Sequence, residues 1–167
     1  KLYIIMISSN KEKTHNLLIW TSSFLPITGG LQKSSYEYVK YLNNNYNVEV
    51  ITNRYPYDLK KNEIISGIKT HRYLFLHSPL NYFKKKRFDL FIAWFFLKPY
   101  TIFRLFFYLL KFRPKIINVH FPDIQLFECL LFKFIFKYKI ILSFHGNEVE
   151  RLISNKKWSI KSLMYLK

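Results

Sequence analysis

Three short groups of residues have the types and spacing that could do chemistry. Thr28-Gly29-Gly30 stands between an apolar run and an amphipathic stretch. Glycine lets backbone approach a ligand closely, and the bare N–H groups and dipole of a helix start favour phosphate. The same pair would also serve a tight turn and nothing more. His145-Gly146-Asn147-Glu148 directly follows another apolar run. An imidazole there could donate to a sugar or phosphate oxygen, move a proton, or simply satisfy a backbone carbonyl. His120 ends a third run, with Asp123 close behind. Two histidines without a fixed third ligand do not define a zinc site, so no metal is expected. The chain has neither GxGxxG nor a Walker lysine, which argues against dinucleotide oxidoreductases and P-loop enzymes.

These groups need a scaffold that brings strand ends together. Asn16-Leu-Leu-Ile-Trp-Thr-Ser reads as a buried strand and Phe24 to Gly30 as a loop. From Leu31 to Leu42, the residues Leu31, Ser35, Tyr38, Val39 and Leu42 share one helical face. Asn47-Val-Glu-Val-Ile-Thr reads as the next strand, and Gly67 to Tyr73 as a third, a candidate for the sheet's edge. The second half repeats this alternation. Pro99 suits the first turn of a helix running to about Lys111. Pro114 to His120 is then a strand, Asp123 to Tyr138 a helix, and Lys139 to Phe144 a strand without alternation, as burial on both faces would require. A last helix is expected from near Trp158. The pattern predicts an α/β fold with a doubly wound, mostly parallel, Rossmann-like sheet. Ligands of such sheets bind outside the carboxyl ends of the strands, where all three groups fall.

With 167 residues the chain can bury one real core, and 50% hydrophobic content argues against a disordered chain. The net charge of +17 favours an anionic partner: nucleic acid, an acidic membrane surface or a phosphorylated substrate. AT-rich coding offers another source for the charge, since Lys, Asn, Ile, Phe and Tyr abound and Ala93 is the only alanine. Cys129 stands alone, so no intrachain disulfide can form and a reducing compartment is the default. The first apolar run is too short for a signal peptide, and Met6 is a candidate start. Leu90 to Leu110 is interrupted by Lys98, Pro99 and Arg104, short of the roughly 18 uninterrupted apolar residues of a spanning helix. The expectation is a soluble or peripheral protein, with residues 1–15 an extension and 16–167 one domain.

Lys84, Lys85, Lys86 and Arg87 form a basic cluster between aromatics. The helix after it is apolar nearly all round, with Thr101, Arg104, Tyr108 and Lys111 as its polar stripe. A buried helix of the sheet has this pattern. So does a peripheral membrane face, on which Lys84 to Arg87 and Arg104 would meet anionic lipid. Nucleic acid is not expected as a partner, because no RNA- or DNA-binding motif is present.

The order of these features resembles the GT-B glycosyltransferases of family 4. The matching pieces are Pro26-Ile-Thr-Gly29-Gly30 before an amphipathic helix, Asn47-Val-Glu-Val-Ile-Thr, the strand ending in His120, and Ile140-Ile-Leu-Ser-Phe-His145-Gly146-Asn147-Glu148. The resemblance implies a retaining transferase that moves sugar from a nucleotide-sugar donor to an acceptor, with no further cofactor. It makes this chain the acceptor-side, amino-terminal domain, stopping before that domain's end and lacking the carboxyl-terminal nucleotide-binding domain. Such a fragment is expected to be inactive alone. Gly29 and Gly30 would approach the donor phosphates and sugar, and His145 the transferred sugar as the catalytic residue. His120, Asn147 and Glu148 would line the donor and acceptor site. The implied acceptor is lipid-linked or polysaccharide, in cell-surface glycan synthesis by a cytoplasmic enzyme peripheral at the inner face of the plasma membrane. The alternative is a non-catalytic basic α/β module that binds anionic membrane or nucleic acid.

Overall fold

The computed structural model describes residues 15–76, 78–122 and 125–144. The continuous apolar runs form the inner strands: β1 (Asn16–Thr21), β2 (Asn47–Asn53) and β5 (Ile116–His120). With β3 (Asn62–Ile65), β4 (Ile68–Tyr73) and β6 (Lys139–Ser143) they make one sheet in the order β3-β4-β2-β1-β5-β6. Every pairing is parallel except β3 with β4. α1 (Gly30–Leu42) covers one face with a core that includes Ile19, Val39 and Val50. α3 (Phe88–Phe112) and α4 (Gln125–Phe136) cover the other, over Trp20, Ile51, Ile117 and Val119. Short α2 (Pro79–Lys84) leads into α3. This is the doubly wound arrangement that the sequence predicts.

Three local expectations differ. The strand at Gly67 to Tyr73 is not the edge, because β3 pairs outside it through a two-residue turn. Ser66 and Gly67 both take positive φ, 48° and 80°, as a hairpin turn matched to strand twist demands. Pro99 does not start a helix: α3 begins eleven residues earlier (99 − 88) and runs through it. Pro99 lies on the exposed side, where the Phe95 carbonyl it leaves without an intrahelical donor can turn to water. β6 is not buried on both faces. It ends the described sheet, with Lys139 and Ile141 exposed. The helix expected near Trp158 lies outside the described residues.

α3 runs antiparallel to the strands. Near its end the Phe112 carbonyl accepts from Asn16 Nδ2 at the start of β1. Higher up, Thr101 Oγ1 donates to the Leu74 carbonyl just past the end of β4, at 3.3 Å. The turns before Thr101 therefore rise beyond the carboxyl edge of the sheet. At 1.5 Å per residue this overhang is about 20 Å long. α3 is long and apolar enough to cross a membrane by composition, more than its charges and proline suggest. However, Leu105, Leu109 and Phe112 are packed into the sheet's core.

Candidate active site

Strand register places His120 among the strand ends at the carboxyl edge of the sheet. Thr21 at the end of β1 pairs with His120 at the end of β5, and His120 pairs with Ser143 at the end of β6. The chain leaves β1 through Phe24, which is buried, and reaches exposed Thr28, Gly29 and Gly30 at the start of α1. Among the described residues no side chain caps this helix start. Gly29 has extended backbone, φ −178°, which any residue adopts. A Cβ on Gly29 would meet Gln32 Oε1, the mobile end of a side chain whose Nε2 donates to Ser23 Oγ at 3.0 Å. A Cβ on Gly30 would meet nothing within 4 Å. Gly30 therefore faces open space, and packing does not require its lack of a side chain.

A buried cation holds this loop. Arg72 of β4 is 1% exposed. Its guanidinium donates to the Leu25 carbonyl in the loop and to the Lys60 carbonyl at 3.2 Å, and it pairs with Glu63 of β3. The loop also contains a cis bond between Leu25 and Pro26. No motif in the sequence singles out Arg72. Its one signal is the alternation of β4, where Ile68, Thr70 and Arg72 share the α1 side.

His120 is 2% exposed and sits against α1, with the Tyr38 ring centroid 4.8 Å from its own. The hydroxyl of Tyr38 accepts from Asn118 Nδ2 at 3.0 Å, and Asn118 Oδ1 accepts from Ser143 Oγ at 2.9 Å. Tyr38, Asn118 and Ser143 thus link α1, β5 and β6 just beneath the edge. His120 ends β5, as the sequence predicts, and its ring is packed beneath α1. His145, Gly146, Asn147 and Glu148 lie outside the described residues, as does Asp123. Among the described residues no three His, Cys, Asp or Glu side chains group as metal ligands would.

The other face carries polar groups of its own. Glu49 Oε2 accepts from Tyr108 and from His71, each at 2.8 Å, and Lys69 lies 3.4 Å from its other oxygen. Burial works to raise the Glu49 carboxyl, but the bonds from His71 and Tyr108 and the charges of His71 and Lys69 outweigh it and hold it below its ordinary value. Burial and the Glu49 charge push the Tyr108 hydroxyl well up. Lys98 of α3 pairs with Glu128 of α4, both buried, in the overhanging part of α3. The basic cluster divides. Lys84, Lys85 and Lys86 are exposed, whereas Arg87 is held by two hydrogen bonds to Asp89, whose carboxyl this contact lowers to about 2. Arg104 does not join them. Its guanidinium lies over the Tyr73 ring, 4.8 Å from the centroid, on the sheet side.

A mostly parallel α/β sheet with a glycine loop and a histidine strand end on its carboxyl edge defines a Rossmann-like domain. The sequence profile of Glycosyltransferase Family 4 matches residues 28–166, and the chain belongs to that family. Among solved structures it is similar to sucrose-phosphate synthase from Thermosynechococcus elongatus, with a TM-score of 0.58 and 12% identity. The match covers 90% of this chain and 38% of the synthase. That likeness shows the shared fold. No curated protein sequence matches the chain.

Proposed function

We propose that the whole protein is a retaining glycosyltransferase. It transfers a sugar from a nucleotide-sugar donor to a lipid-linked or polysaccharide acceptor in cell-surface glycan assembly, at the inner face of the plasma membrane. The observation that carries the reading is the exposed Gly29–Gly30 opening of α1, within a domain of this family. The helix start offers backbone N–H groups to a diphosphate, and the space beside Gly30 admits it. Charge that grows on the leaving diphosphate would meet fixed donors there. Arg72 keeps the loop in place from beneath, and Lys84, Lys85 and Lys86 supply an exposed basic surface for the membrane side.

His145, two residues beyond the end of β6, is the catalytic candidate in this reading. The test is His145→Ala in the full-length protein, with turnover and thermal midpoint measured together. A roughly 10²-fold loss of turnover at nearly unchanged stability supports a contact with the transferring sugar. A destabilised but fully active variant would remove His145 from the mechanism.

A further inference from the structure

α3 turns a continuous apolar stripe away from the sheet. Phe88, Ile92, Phe96, Phe103, Phe107 and Leu110 recur along its outer side and are 44–74% exposed. At 1.5 Å per residue the stripe spans about 33 Å. An exposed face of this size marks a contact surface rather than scattered surface residues. Charge decides what covers it. Exposed Lys84, Lys85 and Lys86 stand at one end and exposed Lys111 and Arg113 at the other. The only acid on α2 or α3 is Asp89, which is engaged by Arg87. Two copies packed stripe to stripe would set cation against cation in either direction. An anionic bilayer accepts both the aromatics and the cations.

The geometry points to α3 as an in-plane helix that seats Phe88 to Leu110 at the boundary of headgroups and acyl chains of an anionic phospholipid bilayer. The flanking lysines then meet lipid phosphate. Aromatic rings suit this boundary, and a helix with one apolar side and basic flanks binds there reversibly. The surface deepens the membrane-side placement above and rests on it, but not on the chemistry of sugar transfer.

The experiment is sedimentation of the full-length protein with phosphatidylcholine vesicles, with and without phosphatidylglycerol, at low and high salt. Parent protein should bind the anionic vesicles and weaken with salt. Lys84→Ser, Lys85→Ser and Lys86→Ser combined should lower binding on the order of 100-fold, about fivefold per lysine. Phe96→Ser with Phe103→Ser should lower it at least about tenfold. Against the background of the three native tryptophans in the parent, the emission that Phe103→Trp adds should shift to the blue on anionic vesicles. Transfer to a water-soluble acceptor, measured on the same variants, shows separately whether the catalytic reading fails. Equal sedimentation of parent and variants, or an unshifted emission from the Phe103→Trp reporter, overturns the proposal. So does a parent dimer that the Phe variants dissociate.

Discussion

The buried guanidinium of Arg72 grips the carbonyl of Leu25, 47 residues earlier in the chain, and so ties β4 to the loop that carries Gly29 and Gly30. Arg72→Met would keep an apolar stem in place of the aliphatic part of the side chain and lose every polar contact. Glu63 keeps some water, with its side chain 25% exposed, so the loss should fall below that of a fully buried pair, at about 2–4 kcal/mol. Urea denaturation measures it. Donor KM should rise as well, while Glu63→Gln, which leaves Leu25 held, should change KM little. Equal KM changes in both variants would detach the loop from Arg72.

The two glycines should respond differently. Gly30→Val adds a side chain to open space, so the thermal midpoint should stay close to the parent's, within about 0.5 kcal/mol of stability. Sugar transfer and donor affinity should collapse. Gly29→Ala displaces only the end of Gln32 and should keep most activity. Unchanged donor affinity in Gly30→Val would make the pair a turn and nothing else.

Glu49 ties acid stability to the α3 face. Its carboxyl is held below the ordinary 4.5 in the folded chain, so the unfolded chain takes up the proton first as pH falls. The stabilisation is complete above about pH 4.5 and drains away as pH drops through the lower folded value. Glu49→Gln should cost about 1–2 kcal/mol at neutral pH. That gap from the parent should narrow as pH falls below about 4.5. Denaturation midpoints across that range provide the check, and a gap independent of pH would contradict it.

Lys98 and Glu128 form a buried pair in which Glu128 Oε2 meets no donor among the described residues. Removing one partner strands the other charge, so Lys98→Met alone should cost about 3–5 kcal/mol. The double replacement, Lys98→Met with Glu128→Leu, should recover that loss and end near or above parent stability. A double variant as weak as the single one would show that α3 and α4 need the charges themselves.

Much of the scaffold is legible because burial writes itself as runs of apolar residues. Leu17 to Trp20, Val48 to Ile51 and Ile116 to Val119 have few other places to go, and the glycine loop falls between two clear elements. β3 escapes because Asn62-Glu63-Ile64-Ile65 is four residues long and depends on β4 for its pairing. The start of α3 escapes because proline signals a helix start more often than a helix interior. The polar stripe misleads for a different reason. Thr101 and Tyr108 face inward, since Leu74 and Glu49 offer acceptors there, while phenylalanines take the outside. Periodicity finds a stripe but not which way it points. Arg72 is beyond the reach of pattern because both of its carbonyl acceptors come from loops.

The direction of α3 also fixes how the domain would stand on a lipid surface. α3 lies along the sheet and turns its stripe directly away from it, so a bilayer beneath that stripe would run roughly parallel to the sheet. The carboxyl edge would then open sideways, level with the surface, with the overhanging turns of α3 as its floor. α1 and the glycine loop would form the upper storey, toward bulk water. A water-borne nucleotide and a membrane-bound acceptor could then enter the same edge at two heights, without crossing each other's path.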